Sequence, residues 1–480
     1  MPDERTEHDT PRRLAIGYSP DADASQLWRL PLLELSALID RREVSPREIL
    51  VQILERIATI DPRINAFRHI ARDEAYAAAD LATERARRGQ RLSPLDGLPL
   101  HVKDNIFVHG MPACWGSALY ADFTPDTDDL PVAALRRAGV VIFGKTNTPE
   151  FALLGRTESR ISGVTRNPWD TRRTPGGSSG GACAAVAAGM GPAGLATDAA
   201  GSIRRPSAYC GVVGFRPSLD AVPRRHGFPA TAHDLQTIGP VTATVSDARA
   251  IFEIISADGF SRIRNRPPTH RIALVLGDSE ILLDSEVRNA VSALADQLSE
   301  QGYRLDSSPL PWNVAEVDEI WGHLSSAAAA RIARNCDPDV WRRQASESIQ
   351  DLARRGVGLS AIDYILAMDK LQRLRQEAED WFLEYDYLIT PTSPCVAWAA
   401  DELYPASING EEAGPRAATV FAAAVNICGL PAISLPAGLD RDGLPIGLQI
   451  IGPRGDDHGV LSLAGHIEEA SRAALACDPD

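Results

Sequence analysis

Short apolar strands alternate with helices along most of this chain, and this alternation constrains its fold more than any other feature. The stretch DLPVAALRRAGVVIFGKTN, residues 129–147, predicts a helix, a glycine stop and a buried β-branched strand. Further units follow at RIALVLGD, SEVRNAVSALADQLSEQG and EYDYLITPTSP, then a strand pair in GLPAISLPAG and GLPIGLQIIG, and a last helix from about residue 457. Since helices that alternate with strands pack onto a sheet, the sequence predicts an α/β fold.

The chain begins with a charged tail, residues 1–26, before its first helices. In VSPREILVQILERIATIDP, Ser45 is a predicted N-cap, Pro46 occupies the first helical position and Glu48 completes a capping box. We expect helices through residues 27–92. A second helical stretch, residues 310–385, carries several tryptophans and is predicted as an insertion that covers the sheet.

Composition and charge limit the possible partners. The 480 residues are 44% hydrophobic and carry a net charge of -15, which disfavours binding to nucleic acid or anionic membranes. The seven cysteines and ten histidines are scattered, without CxxC or HExxH spacing, so we expect no metal and no cofactor. No apolar run approaches the roughly 18 to 20 residues of a membrane span, and no signal core follows the N-terminus. These features predict a cytoplasmic protein and leave a homodimer open.

One stretch matches a phosphate-binding loop by its letters alone. GVVIFGKT, Gly139–Thr146, has the pattern GxxxxGK[ST], which needs a curled loop that leads directly into a helix. Its middle residues are instead two valines, an isoleucine and a phenylalanine, which favour an extended buried strand. Pro149 also disfavours a helix directly after Lys145. We therefore expect a strand here and no nucleotide site.

Two serines in glycine-containing turns suggest acyl-transfer chemistry. GGSSGG, residues 176–181, precedes a small-residue helix, so Ser178 lies where free N–H groups favour negative charge. Ser202 follows in the turn of DAAGSIRRP. A serine nucleophile needs a base, and neither motif contains a histidine. Lys103, in the apolar stretch LPLHVKDNI, is the candidate, because burial would lower its pKa; an ordinary ion-paired lysine is the alternative.

Four of these motifs together resemble the amidase signature family: GGSSGGACAAVAAG, ATDAAGSIRRPSAYCGVVGFRPS, HVKDNI and GVVIFGKTNTPEFA. The resemblance runs from about residue 28 to the end of the chain and is densest over 95–217. It implies a single large domain at 27–475, a many-stranded mixed β-sheet flanked by helices, with a signature core at 93–245 and a short tail at 476–480. Within that core the resemblance implies a serine–cis-serine–lysine triad. Ser202 matches the nucleophile, Ser178 the bridging serine after a cis peptide bond, and Lys103 the base.

The same resemblance implies the groups around the triad. Backbone N–H groups of four residues would form the oxyanion hole, namely Ala199, Ala200, Gly201 and Ser202. Asp198 and Arg204 would brace the turn as an ion pair, and Ser179 would share the hydrogen-bond network. The family usually has glycine where this chain has Ala196 and Ala200. If residue 200 needed a positive φ, alanine there would add about 1 kcal/mol of strain.

The substrate is less constrained by the sequence. Trp115, Gly176 and Gly177 are the predicted substrate contacts, with core packing as the alternative for Trp115. Four other tryptophans are candidates for the leaving-group side: Trp312, Trp321, Trp341 and Trp398. Because the sequence shows no basic cluster, we expect a small uncharged or aryl amide. Alternatives are a carbamate or ester hydrolase, an ammonia-releasing subunit like that of the glutamyl-tRNA(Gln) amidotransferase, and an inactive binding scaffold. Residues 330–420 do not resemble the transamidase pattern.

Overall fold

A mixed sheet with helices on its faces organises the chain. The computed structural model describes residues 26–257, 271–277 and 281–476, so the predicted tails fall almost wholly outside the described residues. The described helices are α1 Leu32–Asp40, α2 Pro46–Ile64, α3 Arg72–Arg87, α4 Leu130–Arg137, α5 Gly180–Ala187, α6 Arg204–Cys210, α7 Val245–Ile255, α8 Ser285–Glu300, α9 Val314–Arg334, α10 Pro338–Gln344, α11 Glu347–Val357, α12 Ala361–Trp381, α13 Ala423–Ile427 and α14 Asp457–Ala476. Single 3₁₀ turns lie at Leu27–Arg29, Ala118–Tyr120, Glu150–Ala152 and Ala417–Thr419.

The strands are short and most of them join one sheet. They are β1 Phe67–Ile70, β2 Pro99–Lys103, β3 Val141–Thr146, β4 Glu158–Ser159, β5 Gly163–Val164, β6 Ala193–Asp198, β7 Val213–Arg216, β8 Thr237–Thr242, β9 Arg271–Leu274, β10 Arg304–Ser307, β11 Tyr387–Pro391, β12 Ser407–Ile408, β13 Glu411–Glu412, β14 Ala432–Leu439 and β15 Pro445–Ile451. The 11-stranded sheet has the order β1-β3-β2-β6-β8-β7-β14-β15-β11-β9-β10. The α/β class and the mixed sheet are therefore confirmed.

Both parallel and antiparallel pairs occur in this sheet, with a run of antiparallel pairs from β6 to β11. β2 lies parallel to β3 and to β6, whereas β6 to β8 and β14 to β15 are antiparallel. β2 and β6 are buried along their full length, as expected for central strands covered on both faces. This pairing places the carboxyl ends of β2 and β6, at Lys103 and Asp198, side by side.

Several local predictions hold in detail. Ser45 caps α2 through a reciprocal capping box with Glu48, and Pro46 is the first residue of that helix. The phosphate-loop look-alike forms β3, and Lys145 Nζ donates to the backbone oxygens of Asp104 and Ile106. The predicted insertion contains α9 to α12. Phe67–Ile70 was predicted within a helical region and is instead the edge strand β1, paired with β3.

Close contact between β2 and β6 requires a glycine. A Cβ atom at Gly194 on β6 would lie 2.2 Å from His101 Cε1 on β2. We expect Gly194→Ala to lower the free energy of unfolding by about 1 to 3 kcal/mol, because the buried imidazole must shift. Gly322→Ala is the matched control, since its Cβ would meet nothing within 4 Å and lies in α9. Urea unfolding measures the free energy of unfolding of both variants, and equal values would contradict a close contact at Gly194.

Candidate active site

Lys103 ends β2 with its side chain fully buried among hydroxyl groups. Its Nζ donates to Ser178 Oγ at 2.8 Å and to Ser179 Oγ at 2.9 Å. A third bond, to Thr197 Oγ1 at 2.9 Å, comes from the neighbouring strand β6. Among the described residues no carboxylate pairs with this ammonium within 4 Å. The alternative of an ordinary ion-paired lysine therefore does not hold.

Burial changes the charge of Lys103. Removal from water lowers its pKa to about 7, although Asp198 and Asp104 oppose the change. Near neutral pH a substantial fraction of this amine is therefore uncharged, so it can accept a proton.

The glycine-rich stretch is a compact loop that ends at the first residue of α5. The Gly177–Ser178 peptide bond is cis, as the family resemblance implies, and Gly176 has a φ of +79°. A Cβ atom at Gly177 would lie 2.9 Å from the backbone of Leu154 and Gly155. These glycines thus permit close backbone packing that presents Ser178 to Lys103.

Ser202 lies in the turn after β6, beside a large cavity. The preceding Gly201 has a φ of +94°, and Ser202 retains 8% exposure. Its backbone oxygen accepts a hydrogen bond from Ser179 N at 3.1 Å, which joins the two serine-bearing turns. Its Oγ has no hydrogen-bond partner among the described residues and is one of the groups that line the cavity.

The predicted oxyanion donors fall into two groups. Gly201 N–H donates to Asp198 Oδ1 at 2.6 Å, so this N–H already has an acceptor. The N–H groups of Ala199, Ala200 and Ser202 have no acceptor in the described part of the chain. Positive φ occurs at Gly201 and not at Ala200, so the strain considered for alanine at this position does not arise.

Asp198 and Arg204 form a fully buried ion pair beneath the turn, with Nε to Oδ2 at 3.0 Å. Arg204 also donates to Gln449 Oε1 at 2.6 Å and to Asn426 Oδ1. Although burial alone would raise the pKa of Asp198, the charge and hydrogen bonds of Arg204 hold it well below its ordinary value. The pair is therefore fully charged and positions the turn that carries Ser202.

The cavity beside Ser202 has a volume of about 1500 Å³. Its walls come from α9, α11 and the segments around Leu154 and Pro415, and Trp312, Trp321 and Trp398 contribute aromatic surface. Trp341, the fourth candidate, is instead packed in a hydrophobic cluster with Phe151.

The predicted substrate contacts are not on the cavity wall. Trp115 is 2% exposed and stacks on Phe228 with ring centroids 4.6 Å apart, so core packing accounts for it. Gly176 and Gly177 are also absent from the described cavity lining, since Gly176 packs against Tyr209 and Gly177 against Leu154 and Gly155.

The sequence analysis missed other groups at this site. Thr197 contacts Lys103, and Asn426 and Gln449 contact Arg204. Thr197 belongs to a motif quoted for the family resemblance and Gln449 to a strand predicted near the end of the chain, which were the available signals. Asn426 lies in α13, outside the four quoted motifs. Arg205 also lines the cavity, although its neighbour Arg204 received the only predicted role.

No group of three or more potential metal ligands comes together in the described ranges. The described helices also include none that is long and apolar enough to cross a membrane.

A mixed sheet that carries buried serine and lysine side chains beside a large cavity is an arrangement compatible with a hydrolase. The family model described as Amidase matches residues 48–461. The chain belongs to the amidase family, and is therefore an enzyme that acts on C–N amide bonds.

Individual relatives resemble it over nearly their full lengths. The A subunit of glutamyl-tRNA(Gln) amidotransferase from Methylacidiphilum infernorum is 32% identical, covering 92% of this chain and 94% of the relative. The crystal structure of an amidase is 32% identical with a TM-score of 0.83, covering 92% and 99% of the two chains. A bacterial aryl acylamidase of the amidase signature family is 25% identical with a TM-score of 0.83, covering 94% and 99%.

Proposed function

We propose that this enzyme hydrolyses a small amide through an acyl-enzyme on Ser202, with Lys103 as the base and Ser178 as the proton relay. The observation that carries the proposal is the 2.8 Å hydrogen bond between Lys103 Nζ and Ser178 Oγ. The lysine has a pKa of about 7 and contacts neutral hydroxyl groups, so it can take a proton at physiological pH.

In the first half of the reaction, Ser178 passes its proton to Lys103 and takes the proton of Ser202. Ser202 Oγ then attacks the amide carbonyl and forms a tetrahedral oxyanion. Ser178 and Ser202 are not hydrogen-bonded to each other in this structure. Such contacts between catalytic groups are often long without substrate and shorten in the complex.

In the second half, the oxyanion is stabilised by backbone N–H groups. Those of Ala199, Ala200 and Ser202 lie in the turn without a competing acceptor among the described residues, whereas Asp198 competes for that of Gly201. The protonated lysine returns its proton through Ser178 to the leaving amine. Water then hydrolyses the acyl-enzyme with Lys103 again acting as base.

The cavity supports an aryl-containing amide. Trp312, Trp321 and Trp398 supply flat apolar surface, and a structurally similar protein is an aryl acylamidase. The expectation of an uncharged substrate rested on the absence of a basic cluster from the sequence. The fold brings Arg205 and Arg416, which are far apart in the sequence, to the same cavity.

A second candidate is the ammonia-releasing component of a glutamyl-tRNA(Gln) amidotransferase. The nearly full-length similarity to the A subunits of such enzymes favours it. Against it, residues 330–420 lack the expected transamidase pattern. If release of ammonia from glutamine required an added partner protein while simple amides were not hydrolysed, this candidate would replace amide hydrolysis.

Chemical labelling tests the nucleophile directly. A fluorophosphonate should label the wild-type protein at Ser202, and Ser202→Ala should abolish labelling, because only an activated serine reacts readily. Peptide mapping by mass spectrometry checks the position. Ser348→Ala is the matched control, a second serine of the cavity lining that should leave labelling unchanged.

A hydrolysis screen then defines the reaction. Aliphatic amides, anilides, dipeptide amides, carbamates and esters distinguish an amidase from a carbamate or ester hydrolase. Labelling that persists in Ser202→Ala would refute the assignment of Ser202 as the nucleophile. A wild-type protein that is neither labelled nor active on any of these compounds would support the alternative of an inactive binding scaffold.

A further inference from the structure

The cavity has an excess of hydrogen-bond donors. Three buried side-chain nitrogens on its lining have no partner: Arg205 Nε, Arg416 Nη2 and Trp312 Nε1. The lining also contains Ser202 Oγ, which has no partner among the described residues and which, as a hydroxyl, can donate as well as accept. Because buried polar groups are normally paired, donors without partners on residues that line a cavity indicate a site where acceptor atoms could bind.

Arg205 differs sharply from its neighbour in sequence. Arg204 donates to Asp198, Gln449 and Asn426. Arg205 is 5% exposed, has one hydrogen bond, to Gly177 O at 3.3 Å, and has no carboxylate partner among the described residues. Burying a guanidinium without a counter-charge is unfavourable, so an anion from outside the chain would complete this site.

Arg416 adds a second positive charge at the same cavity. Its Nε donates to Asp318 at 2.6 Å and its guanidinium carbon lies 5.5 Å from the centre of the Trp321 ring. Burial lowers the pKa of Arg416, and the charge of Arg205 lowers it further, so the two guanidinium groups repel each other. Asp318 is the carboxylate that pairs with Arg416.

The remaining acidic groups on the cavity wall are paired elsewhere. Glu319 pairs with Lys370 and Asp351 with Arg354. Of the three arginines on the described lining, Arg355 is exposed, whereas Arg205 is buried and Arg416 is half-buried and bonded to Asp318.

We propose that the cavity binds a carboxylate of the substrate between Arg205 and Arg416, so that the enzyme prefers amides carrying a carboxylate near the scissile bond. The inference rests on the proposed amide hydrolysis and names its substrate class. A planar carboxylate matches the donor geometry of guanidinium groups, and Trp312 Nε1 offers a further donor.

Arg205 lies close to the turn that carries Ser202. A Cβ atom at Gly201 would lie 3.1 Å from Arg205 Nε, so this guanidinium packs directly beside the residue that precedes Ser202. Amides with a short linker between the carboxylate and the scissile carbonyl are therefore the substrates to test.

A matched pair of anilides tests the preference. Succinanilic acid carries a carboxylate, and butyranilide has a methyl group in its place. The wild-type enzyme should show a kcat/KM ratio of about 10 to 100 in favour of the acid, a typical effect of a charge-assisted hydrogen bond. The ratio should fall toward one in Arg205→Gln and in Arg416→Gln. Arg88→Gln should retain the wild-type ratio, because Arg88 and its partner Glu84 are both exposed and outside the cavity lining.

Binding of succinate itself separates this inference from the proposed function. Calorimetry should show that succinate binds to the wild type and that its affinity is about 10-fold or more weaker in either variant. Succinamide should bind to the wild type no better than it binds to the variants. Arg205→Lys, which retains the charge, provides a second variant if Arg205→Gln does not fold. Succinate binding without fluorophosphonate labelling would refute hydrolysis alone. Labelling without succinate binding or an anilide preference would refute the carboxylate site alone.

Discussion

Replacing Lys103 with methionine is expected to lower kcat/KM for amide hydrolysis by about 10⁴-fold, because general-base catalysis is lost. Methionine has a similar length and fills the buried space without a polar group. The measurement is steady-state hydrolysis of an amide found in the substrate screen. Retention of more than a tenth of the wild-type kcat/KM would contradict the assignment of the base.

Lys145 provides the matched control for this prediction. It is also fully buried, on the adjacent strand β3, and burial lowers its pKa to about 8. Its Nζ donates to two backbone oxygens and contacts neither serine. Lys145→Met should therefore affect stability and leave kcat/KM of the folded enzyme near the wild-type value. Equal loss of activity in both variants would show that activity is lost because a buried lysine is removed from the fold, and not because the catalytic base is removed.

The pH dependence follows from the pKa of about 7 at Lys103. The base acts as the neutral amine, which is the minor form below that pKa. In wild type, kcat/KM should rise about tenfold per pH unit below pH 7 and level off above pH 8. A profile that is flat or falling from pH 5.5 to 8 would contradict a lysine base.

Removing Arg204 is expected to have the largest effect on stability. Arg204→Met should lower the free energy of unfolding by about 3 to 5 kcal/mol, since Asp198 would keep its buried charge without its partner. Both side chains are fully buried, so solvent does not screen the lost interaction. Urea unfolding checks the magnitude, and fluorophosphonate labelling reports whether the Ser202 turn persists.

Arg88→Met is the control, because its ion pair with Glu84 lies on the surface, with side chains 64% and 50% exposed. Surface pairs contribute about 0 to 1 kcal/mol. If Arg204→Met unfolded at the same urea concentration as Arg88→Met, the buried pair would not be the support of the turn.

Local sequence signals predicted most elements of the fold. The capping box at Ser45 placed the start of α2, and the β-branched run Val140–Ile142 indicated a strand in place of a phosphate loop. The strand Phe67–Ile70 was missed because an edge strand is defined by its pairing with β3, a contact between segments about 75 residues apart. The strand order across the sheet depends on such contacts throughout.

The candidate site also has residues that local motifs predicted and contacts that only the fold shows. Motifs singled out Lys103, Ser178 and Ser202, and the fold joins the first two directly while Ser179 N connects their loop to Ser202. For Trp115 the structure favours the alternative of core packing, because the side chain stacks inward on Phe228 from a distant segment. Arg205 and Arg416 are more than 200 residues apart, so no sequence window shows them as a pair.

The sequence by itself determined the short-range properties of this enzyme: helix starts, buried strands, and turns where glycine permits positive φ. Each depends on the conformational preferences of a few adjacent residues. Only the tertiary structure decided the pKa of Lys103 and the excess of donors in the cavity. Desolvation and electrostatic interaction are sums over all neighbours in space, and here those neighbours come from segments far apart in the chain.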